Sequence, residues 1–92
     1  MKIEYDAAKR AKTLAERGLD FESVRNLDWD GAIYAQDSRA DYGETRYIVF
    51  GYIGQDFVCV AYTIRNNRLR VISLRKGNTR ERKTYDAIKA ND

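Results

Sequence analysis

Ninety-two residues, 43% of them hydrophobic, suffice for one small domain over 1–92 and not for two, since a core of its own usually takes a chain of ~100 residues. With no histidine and a single cysteine, the usual zinc sites, the Ser-His-Asp triad and Cys-His proteases are excluded. The net charge of +3 conceals a dipolar molecule, because residues 65–83 carry eight basic side chains and one acidic, and the remainder carries nine basic and thirteen acidic. Clustered arginine of this kind is the footprint of a surface that meets a polyanion, and six of those eight cations are arginines, whose planar fork grips phosphate oxygens in pairs. No apolar run approaches the ~18 residues that span a bilayer, and the start, Met1 to Asp6, lacks the apolar stretch of a secretory signal. A cytosolic (cytoplasmic) protein without membrane contact is expected. Gly51 and Gly54 lack the Lys-Ser/Thr of a nucleotide-binding loop, so neither a nucleotide cofactor nor a metal is expected.

In chain order, residues 2 to 5 alternate like a short edge strand. Asp6 is a good N-cap for a helix over Ala7 to Arg17, with Ala7, Ala11, Leu14 and Ala15 at helical spacing and Gly18 as the left-handed stop. Asp20 caps a second, short helix in which Phe21, Val24 and Leu27 repeat every three residues. A strand is expected near Ala32 to Gln36, followed by a polar, turn-rich stretch from Asp37 to Glu44 that reads as a mobile loop. Arg46 to Ile53, Phe57 to Arg65 and Arg68 to Arg75 are rich in Val, Ile, Tyr and Phe and read as three strands of an antiparallel meander. Their turns fall at Gly54-Gln55-Asp56 and at Asn66-Asn67, two residues that both tolerate positive backbone angles. Cys59, inside the apolar run Phe57 to Ala61, reads as a small buried hydrophobe. Asn78 with Glu81 forms a capping box that opens a last helix from Thr79 to about Ala90, with Tyr85 and Ile88 toward the sheet. The fold class is α+β: N-terminal helices, an antiparallel sheet, and a short C-terminal helix.

The candidate chemistry lies in the basic segment. Arg65 and Arg68 flank the Asn66-Asn67 turn and face each other across the hairpin, with no nearby acid apparent in the sequence to offset their repulsion. Simple alternation puts Leu69, Val71, Ser73 and Arg75 on one face of the next strand and Arg70, Ile72 and Leu74 on the other. On the last helix Glu81, Arg82 and Tyr85 lie within one turn of each other. If that helix face meets Arg75, a carboxylate, a phenol and guanidiniums converge. Such a set suits RNA cleavage without histidine: a base takes the proton of a ribose 2′-hydroxyl, and arginines stabilise the charge gathering on phosphate. Arg65, Arg75, Glu81 and Tyr85 are therefore the candidate catalytic residues, and Arg68, Arg70, Lys76, Arg80, Arg82 and Lys83 the candidate RNA contacts. Glu81 has a competing reading as a helix cap alone, and Tyr85 as a core aromatic.

Taken in order, Ile3 to Lys9, Arg17 to Glu22, Gly43 to Arg46, Thr63 to Arg65, Arg70 to Arg75 and Glu81 to Tyr85 resemble the BrnT family of bacterial toxin components. The resemblance runs over nearly the whole chain. It implies a RelE-like ribonuclease fold and inhibition of translation by RNA cleavage. It further implies a cognate ribbon-helix-helix antitoxin, through which alone the complex would meet DNA. The family's Thr-x-Arg falls on Thr63 and Arg65, its Ile-Ser-x-Arg on Ile72, Ser73 and Arg75, and its Glu-x-Arg on Glu44 and Arg46, which adds Arg46 to the RNA contacts. Two positions depart from the pattern. Glu16-Arg17-Gly18 stands where the family commonly has Lys-His-Gly, and Asp30-Gly31 where it often has Asp-Pro.

The competing reading is a binding module without catalysis, an RNA-binding or antitoxin-binding subunit of a repressor complex, for which the same basic surface would serve. A purely structural protein would show its basic residues scattered around the surface.

Overall fold

The computed structural model describes residues 2–91. In chain order it contains β1 (Lys2–Glu4), α1 (Ala7–Arg17), a 3-10 helix (Phe21–Asn26), β2 (Ile33–Asp37), β3 (Arg46–Ile53), β4 (Asp56–Arg65), β5 (Arg68–Lys76) and α2 (Thr79–Ala90). The strands form a single sheet in the order β1-β5-β4-β3-β2. From β2 to β5 every pairing is antiparallel, but β1 runs parallel to β5, with Ile3 opposite Leu69. The expected antiparallel sheet is therefore mixed. β1 enters at the free edge of the last strand, and α1 then carries the chain away from that edge, so no hairpin dictates the direction of the pairing.

The meander follows from its turns. Ile53 pairs with Asp56 across Gly54-Gln55, where Gly54 has φ 60°. Arg65 pairs with Arg68 across Asn66 (φ 51°) and Asn67 (φ 61°), the two left-handed angles that a tight hairpin of matching twist demands.

One face of the sheet carries the core. Val49, Val58, Val60, Tyr62, Leu69, Val71 and Leu74 are buried there beneath Phe21, Val24 and Leu27. The 3-10 helix is held by its Asp20 cap, which also accepts two bonds from Arg10, at 2.8 and 3.0 Å. The first helix forms over the expected residues, with Asp6 accepting from the Lys9 amide and Gly18 in the left-handed conformation. Its apolar positions do not enter the core: Ala7, Ala11 and Ala15 are exposed and Leu14 is 45% exposed. Polar contacts fix α1 instead, from Arg10 to Asp20 and from Arg17 to the Leu74 carbonyl at 2.9 Å.

The segment after β2 is tied down locally and does not hang free. Asp37 is buried and accepts from the Arg39 guanidinium at 2.8 Å through each oxygen and from the Tyr42 hydroxyl at 3.2 Å.

β5 breaks the simple alternation. Tyr62 pairs with Val71 and Ala61 with Ser73, leaving Ile72 as an extra residue in a β-bulge. Val71 and Leu74 consequently share the core face, and Ser73 and Arg75 move to the opposite face with Arg70, which corrects the expected placement of Arg75 among the apolar residues. A bulge turns a strand by one residue, and here two buried aliphatics that need the core face, Val71 and Leu74, are spaced three apart.

Candidate functional site

The second face of the sheet gathers the arginines. Arg46 lies opposite Asp37 on β2, and Arg65 opposite Arg68, while Thr63 pairs with Arg70 and Cys59 with Arg75. Alternation places Arg46, Arg65, Arg70 and Arg75 on one side of β3, β4 and β5.

Each of these cations has a defined setting. Arg65 is held by both oxygens of Glu44, at 2.6 and 3.0 Å. Its repulsion from Arg68 is thus offset by an acid that lies far away in sequence, contrary to the expectation of none. The Arg65 hydrogen bond holds the Glu44 carboxyl below its ordinary range, and the Glu44 bond raises Arg65 in return. Thr63 is buried at 2% exposure and donates its hydroxyl to the Thr45 carbonyl at 2.6 Å, fastening the end of the loop that presents Glu44. The Arg46 guanidinium stacks 4.0 Å over the Tyr42 ring, and its Nε is buried without a hydrogen-bond partner among the described residues. Arg70 stands 4.0 Å from Glu4.

The other end of the face is closed by α2. Arg75 and Glu81 form a two-pronged pair, 2.8 Å at each contact. Glu81 also completes the capping box, accepting from the Asn78 amide at 2.9 Å while the Asn78 side chain accepts from the Glu81 amide at 2.8 Å. One carboxylate therefore both caps the helix and meets Arg75. The Arg75 hydrogen bond, aided by the Asn78 amide, lowers its pKa to about 2. Tyr85 packs its ring on Phe57 and Tyr52 and donates its hydroxyl to the Gly31 carbonyl at 2.6 Å. Ile88 is 45% exposed at the rim of an apolar pocket under α2, with Ile33, Ala35 and Phe50. Cys59 is buried beside Arg75, and burial pushes its thiol up.

The structure thus brings Arg75, Glu81 and Tyr85 to one end of the sheet and Arg65, Arg70 and Arg46 to the other half of the same face. Arg68, opposite Arg65, shares that face at the exposed hairpin tip. The remaining candidates lie apart: Lys76 points with Val58 toward the opposite side and lies 3.9 Å from Asp56, and Arg80 lines the apolar pocket. Arg82 and Lys83 are exposed on α2. Reasoning from the basic cluster passed over Glu44 as the partner of Arg65, although the Glu-x-Arg spacing from Glu44 to Arg46 had marked it, and passed over the Asp37, Arg39 and Tyr42 cluster altogether. The two departures are also placed. Arg17 reaches the β5 edge through Leu74, next to Ser73, and Gly31 donates its amide to Asp28 at 3.1 Å, a bond that proline would lack.

A family model described as the ribonuclease toxin BrnT of type II toxin-antitoxin systems matches residues 5–81. The chain belongs to the BrnT family. The match takes in α1, β2 to β5, the four arginines of the second face and Glu81, whereas Arg82, Lys83 and Tyr85 lie beyond it. A comparison with curated proteins finds no match. Among the described residues, no helix is long and apolar enough to cross a membrane.

Acid should loosen this BrnT site in a definite window. Glu81 has a folded pKa depressed to about 2 from an ordinary 4.5, so its contribution to stability is complete above about 4.5 and disappears as pH falls toward 2. Glu44 and Asp37 are shifted in the same direction by Arg65 and Arg39. The urea midpoint is expected to fall between pH 6 and pH 3, and to fall less in Glu81→Gln. Equal drops in the two proteins would show that Glu81 is not a source of the acid sensitivity.

Proposed function

We propose that this chain is a metal-independent endoribonuclease with a RelE-like fold that inhibits translation by cutting RNA, and that a cognate ribbon-helix-helix antitoxin neutralises it. The observation that carries the reading is the gathering of Arg46, Arg65, Arg70 and Arg75 on one sheet face in a chain of the BrnT family. Two of those forks, on Arg65 and Arg75, already grip carboxylates in the two-pronged manner that also suits a phosphate.

In this reading the scissile phosphate takes the fork of Arg75, with Arg65 holding a phosphate several nucleotides along the strand. Glu81, displaced from Arg75, loses the largest cause of its low pKa and becomes a competent base for the ribose 2′-hydroxyl. The 2′-oxygen forms a bond to phosphorus, the bond to the 5′-oxygen breaks, and that oxygen leaves with a proton. The Tyr85 hydroxyl is the candidate donor, once it gives up its bond to Gly31. Arg75 stabilises the charge on the equatorial oxygens throughout and gives up no proton of its own, because a guanidinium stays protonated in proteins. Arg68, Arg80, Arg82, Lys76 and Lys83 add electrostatic attraction for the rest of the strand.

The test is incubation of purified, partner-free protein with labelled RNA in EDTA and, separately, with translating ribosomes in magnesium buffer. Products bearing 2′,3′-cyclic phosphate ends are expected. Intact RNA in every condition, with binding retained, would favour the non-catalytic module, whose neutralised Arg65 and Arg75 forks then serve an antitoxin or RNA.

A further inference from the structure

The flank of α1 that looks toward the arginine face carries charge for which the fold has no evident use. Lys9 and Lys12 are exposed, and neither side chain makes an ion pair among the described residues. Neither lies in the basic segment that the charge pattern picked out.

Two pockets run along the seam between this flank and β5. One, of about 180 Å³, is lined by Lys9, Arg46, Arg65 and Arg70 together with Asp6 and Glu44. The other, of about 200 Å³, is lined by Lys9, Lys12, Arg17, Glu16 and the hydroxyl-bearing Thr13 and Ser73. Lys9 and Ile72 line both. Ile72 is the residue that the bulge leaves unpaired, so the same irregularity that turns Ser73 and Arg75 onto the arginine face also sets the junction of the two pockets. The result is one groove with six cations and three carboxylates along its walls. Two of the carboxylates are already engaged, Glu44 by Arg65 and Asp6 by the Lys9 amide.

We infer that this groove is a second stretch of the RNA path, in which Lys9 and Lys12 of α1 each neutralise a backbone phosphate on a strand that continues from the Arg65 pocket past Ser73. The inference rests on the ribonuclease reading and extends it to residues that reading does not use. The ligand chemistry is that of a phosphodiester chain. The lining offers two ammonium groups, a guanidinium and two hydroxyls against the single carboxylate of Glu16, with Phe21 and Ile72 as its apolar side chains, a balance that favours a phosphodiester over an apolar anchor of a protein segment. Lysines used as point charges contribute affinity without base readout, and the RNA is positioned along α1 without selection of its sequence.

The experiment follows the anisotropy of a labelled single-stranded oligonucleotide with 2′-O-methyl sugars, which cannot be cut by 2′-oxygen attack, over a series of salt concentrations. Each lost phosphate contact lowers the slope of log K against log salt by about 0.7 for a single strand, so Lys9→Gln/Lys12→Gln should be shallower than the parent by about 1.4. Lys9→Arg/Lys12→Arg should restore the slope. Arg25→Gln, which removes one charge from the 3-10 helix where Arg25 pairs with Glu22, should leave it parallel to the parent. A glutamine double variant that keeps its fold by circular dichroism and its full slope overturns the inference alone and leaves the groove to some other use, such as an acidic protein segment. A parent protein that binds no oligonucleotide at all also overturns the inference, whereas the ribonuclease reading falls only if RNA stays intact with ribosomes present as well.

Discussion

Arg65→Ala and Arg75→Ala are each expected to slow RNA cleavage by about 10²- to 10³-fold, the loss that follows removal of one preorganised donor to a developing oxyanion. Arg75→Ala should have the larger effect. It removes the fork that the proposed mechanism sets on the scissile phosphate and also the partner that holds Glu81 and the start of α2 against the sheet. Arg75→Lys should recover little, because an ammonium cannot replace two parallel donors. The measurement is single-turnover cleavage of labelled RNA, with growth on induction as the cellular counterpart. Thermal unfolding of both variants guards against a trivial loss of fold. Two variants that unfold like the parent and cut at the parental rate would remove Arg65 and Arg75 from the site.

Phe21→Ala is expected to lower the unfolding free energy by about 3 to 5 kcal/mol, the range for truncating a fully buried aromatic. Phe21 is 1% exposed and stands at the centre of the layer that the 3-10 helix lays over the sheet, with Tyr5 edge-on to its ring at 5.8 Å. A chain of this size holds roughly 5 to 15 kcal/mol in all, so the single change consumes a large share of it. A second buried ring does not compensate: Phe57 stacks on Phe50 and contacts Tyr85, at the α2 end of the sheet. Urea unfolding with an unchanged slope and a loss below about 1 kcal/mol would show that the 3-10 layer is not integral to the core.

Local rules were written plainly in the sequence where one residue decides one backbone conformation. Asp6 and Gly18 bounded α1, Asn66-Asn67 closed the hairpin, and Asn78 with Glu81 opened α2, each through a bond or angle belonging to its own segment. Partners distant in sequence were not legible in that way. The parallel seat of β1 beside β5 depends on a free edge that exists only once the meander is assembled. The bulge at Ile72 left no Gly or Pro to announce it, and simple alternation therefore placed Arg75 on the wrong face. The helical spacing of Ala7, Ala11, Leu14 and Ala15 announced the helix but not which side it buries, and the two-pronged Arg10 to Asp20 pair turns a different flank of α1 inward. For the site, the basic segment led to Arg65, Arg70 and Arg75. Arg46 was visible only through a family resemblance, because a lone arginine at the start of a strand has no signature of its own.

The position of β1 also bears on the order in which the molecule assembles. Strands β2 to β5 are joined by short connections to their neighbours, and their contacts close small loops that cost little chain entropy. β1 is made first in synthesis, yet its ladder, Lys2 opposite Arg68 to Glu4 opposite Arg70, waits for the last strand. Non-local pairing of this kind slows folding relative to the hairpins. Arg70 meets Glu4 only when that ladder closes, so the N-terminal strand is a clasp on the arginine face whose seat exists only once β5 is in place.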